Sequence, residues 1–182
     1  VIGGLGLALW RERHRWMGVP FMILGFLSIL VHDLPDLKVD QSGRLVGIRT
    51  LDQTLYLTTT RAEKFAATLW REAYGLEDAL AMGDAPVIEN ESENLACGPE
   101  GCLYTRGDIT IAIAQSRRAL QEDCGIATLI ITDENAPENC QAPHIIDRDF
   151  LDRFGASAVW FDKGGIRLET VRDVRGHRIW MP

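Results

Sequence analysis

The sequence predicts an α/β or α+β domain built on mixed β-sheets with flanking helices, preceded by a transmembrane helix. Three observations predict it. Short β-type runs alternate with capped helical patterns from residue 37 to residue 172. A sixteen-residue stretch, 16–31, carries no charge. Four cysteines, Cys97, Cys102, Cys124 and Cys140, make an even set. Charge is divided unevenly. Residues 32–182 hold 16 Lys and Arg against 25 Asp and Glu, so this acidic part does not bind phosphate backbones by bulk charge.

The amino-terminal elements come first. Residues 1–10, "VIGGLGLALW", read as the end of a preceding transmembrane helix, with Gly3, Gly4 and Gly6 suited to close helix packing. The chain begins inside this apolar run, as a fragment of a longer protein would. Residues 11–15, Arg-Glu-Arg-His-Arg, form a basic loop. Residues 16–31 supply a last transmembrane helix of near-sufficient length, with Trp16 at the aromatic belt and Pro20 in the first turns. The positive-inside rule places Arg11, Arg13 and Arg15 in the cytoplasm. Residues 32–182 are therefore expected in the periplasm of a bacterial inner-membrane, multi-pass protein. The cysteines agree, since disulfides persist in oxidising compartments. The "CGPEGC" turn brings Cys97 to Cys102, and Cys124 with Cys140 completes the set. Two other pairings remain open. A four-cysteine zinc site is the rival, but the spacing lacks the paired short knuckles of a zinc ribbon.

In the outer part, Leu37–Val39, Leu45–Arg49 and Thr54–Thr58 read as a β-meander. Thr60-Arg61-Ala62-Glu63 has the form of a capping box. The helix it opens sets Ala62, Phe65, Leu69 and Ala73 on one face and stops at Gly75; Phe65, Leu69 and Trp70 read as core. Residues 84–95 read as an acidic surface loop with a short strand. Leu103–Thr105 and Asp108–Ala114 form a hairpin around Arg106-Gly107, and the β-branched "DITIAIA" reads as a buried strand. Ser116 caps a helix running to Cys124, and residues 126–132 form the next strand. Residues 133–143 are a polar loop. Asp147 caps a helix over Arg148–Phe154 that Gly155 stops. Residues 157–161 and 166–172 then pair as a hairpin turned by Asp162-Lys163-Gly164-Gly165.

The phrases "PDLKVDQSGRLVGIRT", "CGPEGC", "DCGIATLIIT" and "DRFGASAVWFDKGGIRLETVRDVRGHRIWMP" resemble, in this order, the carboxyl-terminal region of ComEC-family proteins. The resemblance covers nearly the whole chain. It implies a DNA-internalisation channel of natural competence that carries single-stranded DNA across the inner membrane. It further implies a degenerate metallo-β-lactamase-like outer domain, a β-sandwich with helices on its outer faces. Partners implied are the membrane, single-stranded DNA through the parent channel, other competence proteins and a second copy in a homo-oligomer. In metal-binding relatives a His-x-His-x-Asp-His cluster follows the strand matching "TLIIT". Here that stretch, 132–140, contains no His, and His32, His144 and His177 are not spaced as a pair. A two-zinc hydrolase needs such imidazoles. The domain therefore reads as non-catalytic, without a cofactor or metal site.

Asp133, Glu134 and Glu138 form a carboxylate-rich loop that offers a Mg²⁺ or Ca²⁺ site for a metal-dependent nuclease, against the plainer reading of a solvated loop. His144 could serve as a general base, although no nucleophile accompanies it. Lys163, Arg167, Arg172, Arg175 and Arg178, with Trp160 and Trp180, suit single-stranded DNA, where cations follow the backbone and rings stack on bases. Asp162, Glu169 and Asp173 oppose them. Asp36 and Asp40 read as turn residues. An unrelated periplasmic binding or scaffold domain is the other class of reading.

Overall fold

The computed structural model describes residues 16, 18–29, 33–59, 63–84, 88–89, 92–162 and 165–176. It divides into two units, Val1–Leu34 and Pro35–Pro182.

In the first unit the helix α1 spans Gly18–Ile29, 12 residues, apolar on every side. Phe21, Ile23, Leu24, Phe26 and Leu27 are each more than half exposed. At 1.5 Å per residue it measures about 18 Å, against a hydrocarbon core of about 30 Å. Among the described residues no helix is long and apolar enough to cross a membrane. Of the stretch 16–31, expected as a membrane span, residues 18–29 are helix, and that helix is too short to cross a membrane. The expectations for residues 1–10 and 11–15 lie outside the described residues.

The second unit is α+β, with two mixed six-stranded sheets and flanking helices. Its strands are β1 Leu37–Val39, β2 Val46–Arg49, β3 Leu55–Leu57, β4 Leu80–Ala81, β5 Ile88–Glu89, β6 Glu93–Gly98, β7 Gly101–Arg106, β8 Ile109–Ala114, β9 Leu129–Thr132, β10 His144–Ile146, β11 Ser157–Asp162 and β12 Gly165–Thr170. Its helices are α2 Lys64–Ala73, α3 Arg117–Asp123, α4 Arg148–Phe154 and α5 Val171–Arg175. The first sheet runs β12-β11-β1-β2-β3-β4 and the second β10-β9-β8-β7-β6-β5. Only β3–β4 is parallel in the first; β8–β9 and β9–β10 are parallel in the second.

Alternation along the strands builds the layers. Leu37, Val39, Val46, Ile48 and Val159 of the first sheet meet Leu95, Tyr104, Ile111, Ile113, Leu129 and Ile131 of the second in one buried core. The opposite faces carry their own cores. Leu45, Leu55 and Leu57 pack under α2, with Ala67 and Trp70. Ala112, Ala114 and Ile130 pack under α3, with Ala119 and Leu120. A strand covered on both sides reads as a continuous apolar run, which explains "DITIAIA".

Local signals place several elements as expected. The strand 37–39 and the helix 148–154 have the anticipated bounds. Asp147 accepts from the Phe150 N–H at 2.9 Å, and Gly155 closes that helix. Ser116 accepts from the Ala119 N–H and starts α3. Gly101 is required at the β6–β7 hairpin, because a Cβ there would lie 2.3 Å from the Ile113 carbonyl oxygen.

Four expectations need correction. The helix after the meander starts at Lys64 with Glu63 in left-handed backbone and no side-chain cap; Thr60 lies outside the described residues. Its inward face is Ala66, Ala67, Trp70 and Tyr74, whereas Phe65 is 78% and Leu69 46% exposed. The reason lies in the sheet: Gly47 leaves a gap where a Cβ would come within 3.1 Å of the Trp70 ring, and the indole fills it. Residues 144–146, beyond the expected loop 133–143, form a strand that the sequence reading did not include. The strand after Gly165 ends at Thr170, where a reciprocal Thr170–Asp173 cap turns Val171–Arg175 into helix.

Candidate functional site

The four cysteines form two disulfides. Cys97 joins Cys102 across the β6–β7 hairpin, where the two residues face each other in register. Cys124, ending α3, joins Cys140 in the loop after β9. None of the four is free. The preferred pairing is the one observed.

The carboxylate loop is held by arginines. Asp133 lies 3.4 Å from Arg44, and Glu134 3.4 Å from Arg117. The Arg148 guanidinium donates to the Asp133 carbonyl at 3.0 Å. The Asp133 and Glu134 carboxylates are thus drawn towards two different arginines, Arg44 and Arg117. Among the described residues no three His, Cys, Asp or Glu side chains are grouped to hold a metal ion. His144 sits half-buried on edge strand β10, its backbone N–H donating to Thr128.

The described arginines of the basic run each have their own contacts. Arg167 stacks on the Trp160 ring at 4.0 Å and pairs with Glu169 at 2.8 Å and Asp162 at 3.6 Å. Arg172 donates to the Arg153 carbonyl and lies over Phe154. Arg175 stands apart, on the rim of a groove. Lys163 and Arg178 lie outside the described residues. Arg172 and Arg175 stand three residues apart on α5, and Arg167 stacks on Trp160, which lines the same groove as Arg175.

That groove encloses about 360 Å³ on the outer face of the first sheet. Lys38, Trp70, Trp160, Val171, Val174 and Arg175 line it. Cross-strand register explains its location. Lys38 of β1 faces Ala158 of β11, and Ala158 faces Glu169 of β12, while α2 covers only β2 and β3. The small Ala158 leaves an open floor between tryptophans. The Lys38 ammonium lies 4.3 Å from the Tyr74 ring and 6.0 Å from the Trp70 ring. Burial, with Arg49 nearby, lowers its pKa from the ordinary lysine value.

Two buried carboxylates tie the sheets together, and neither was anticipated in this role. Asp36, just before β1, accepts from Arg106 of β7 at 3.0 Å and from the Phe161 N–H of β11 at 2.9 Å, with Arg49 at 3.5 Å. Glu93 of β6 accepts from the Leu51 N–H and, at 2.8 Å, from the Tyr104 hydroxyl. Burial, and then this bond to Glu93, hold the Tyr104 phenol protonated well above its ordinary range. The sequence offers no local signal that Asp36 lies at an inter-sheet junction. No protein-family model matches this chain, and no curated protein or solved structure matches it.

Proposed function

We propose that the chain is the carboxyl-terminal region of an inner-membrane DNA-uptake protein of the ComEC kind. In this reading residues 32–182 form a periplasmic domain that guides single-stranded DNA or supports assembly and performs no chemistry itself. The apolar helix α1 belongs to the last membrane span, and the parent channel works with other competence proteins or as a homo-oligomer. Two disulfides support an oxidising location. In this reading the two sheets with helices on their outer faces are a degenerate metallo-β-lactamase-like form.

The observation that carries the non-catalytic reading is the loop after β9. At the position where metal-binding relatives place their histidines, Asp133 and Glu134 are engaged by Arg44 and Arg117. A hydrolytic site needs ligands converging on one open point. The test is twofold. Deleting residues 35–182 in the parent protein should lower transformation of a competent host, and unchanged transformation would remove the uptake reading. The full chain in detergent should leave single-stranded DNA intact with added Mg²⁺, Mn²⁺ or Zn²⁺. Cutting that disappears in Asp133→Ala would establish a carboxylate-dependent nuclease instead.

A further inference from the structure

The groove on the outer face of the first sheet is apolar in its body and carries cations at its edge. Its body is apolar, with Trp70, Trp160 and Val171, and Val174 stands 74% exposed on the rim. Its cations are Lys38 and Arg175, and neither has a carboxylate partner among the described residues. Its one acid, Glu169, is taken by Arg167 at 2.8 Å. Indoles beside unpaired cations and an exposed aliphatic residue are the side-chain set of a bilayer interface. There, rings occupy the headgroup level and cations meet lipid phosphates. Residues 32–182 carry a large excess of acid that an anionic bilayer repels, so only a face bearing its own cations can approach one.

Chain connectivity gives the second line of support. Pro35 forms part of the groove wall, and only five residues separate it from Ile29, the last residue of α1. A tether of that length reaches on the order of 20 Å when fully extended.

We infer that this groove is a lipid-facing surface: it seats against the outer leaflet of the inner membrane, with Trp70, Trp160 and Val174 at the headgroup level and Lys38 and Arg175 on anionic lipid phosphates. The inference rests on the membrane reading given under Proposed function. It goes beyond that reading by assigning a docking face to the folded domain.

The test uses the full chain reconstituted in vesicles of mixed zwitterionic and anionic phospholipids. A nitroxide is attached in turn through Val174→Cys, Leu24→Cys and Asp108→Cys; the four native cysteines are bonded and do not react. Power-saturation measurements compare access of oxygen, which concentrates in lipid, with access of a water-soluble nickel complex. The oxygen-to-nickel ratio at position 174 should be several-fold above that at position 108, an exposed turn, and should fall towards it in the Lys38→Ala/Arg175→Ala pair. A ratio at 174 equal to that at 108, while 24 reads as lipid, overturns the docking face and leaves the membrane reading intact. Water-like ratios at both 24 and 174 overturn both. Loss of nickel access at 174 on adding oligothymidylate without lipid would assign the groove to nucleic acid and overturn the lipid assignment.

Discussion

The outer faces of the two sheets are finished in different ways. On the second sheet, small residues, Ala112 and Ala114, let α3 lie close, Leu120 and Ile130 fill the space, and Cys124–Cys140 pins the end. On the first sheet α2 covers β2 and β3 alone, and β1, β11 and β12 face outward through Lys38, Ala158, Trp160 and Glu169. That uncovered half is secured from its inner side, where Asp36 binds Arg106 of the other sheet and the Phe161 N–H. The difference teaches that two partly covered sheets are fastened differently, one by a helix pinned with a disulfide and the other by a helix whose indole fills a gap in the sheet. Stability has been moved to polar ties where apolar cover is missing.

The largest way to break this contrast is to cut the inner tie. Asp36→Ala leaves two half-buried guanidiniums without their shared carboxylate, and should lower unfolding free energy by about 3–5 kcal/mol in urea titration. An effect below about 1 kcal/mol would mean the uncovered half needs no such anchor. Next comes the closed face. Leu120→Ala, buried beneath α3, should cost about 3 kcal/mol, whereas Val174→Ala on the open rim should stay within about 0.5 kcal/mol. Equal losses at both positions would erase the distinction.

The disulfides grade the same contrast. Removing Cys124–Cys140, with 16 residues of separation, should cost about 3 kcal/mol, and removing Cys97–Cys102, with a separation of 5, about 2 kcal/mol. Tyr104→Phe is a smaller change, about 1–2 kcal/mol, because Glu93 loses one donor and keeps the Leu51 N–H. It also has a pH signature. The folded-state pKa of Tyr104 is raised, so its contribution is fully present below the unfolded value of about 10 and is lost as pH rises from there towards the folded value. Alkaline unfolding should accordingly be shallower in Tyr104→Phe. The smallest effect is expected at Asp133→Ala, whose exposed pair with Arg44 is worth less than about 1 kcal/mol.

Elements with strong local chemistry were legible in the sequence. Asp147 and Gly155 bracket α4, Ser116 opens α3, and the meander strands follow from turn residues and β-branched content. Elements decided by distant partners were not. In α2 the larger side chains Phe65 and Leu69 suggest the buried face, yet the gap at Gly47 selects Trp70 and turns the helix onto its smaller residues. Three residues, 144–146, are too few to show a period, and β10 exists because β9 offers a parallel edge. For α5 the signal was present and overlooked: Thr170 and Asp173 stand at cap spacing, while Val171 and Thr170 imitate a continuing strand. Of the candidate site, the cysteine pairs were readable from turn chemistry. The groove was not, because Lys38, Trp70 and Val174 are brought together only by the pairing of β1 with β11.

That same pairing sets a timetable for the molecule's making. Leu37 finds its partner in Val159, so β1, once made, keeps one row of backbone N–H and C=O groups unsatisfied until more than a hundred further residues have followed. A nascent chain halted before residue 157 presents that bare border to any extended peptide nearby. Emergence of β11, and not the early meander, is therefore the event that makes this polypeptide safe from its neighbours.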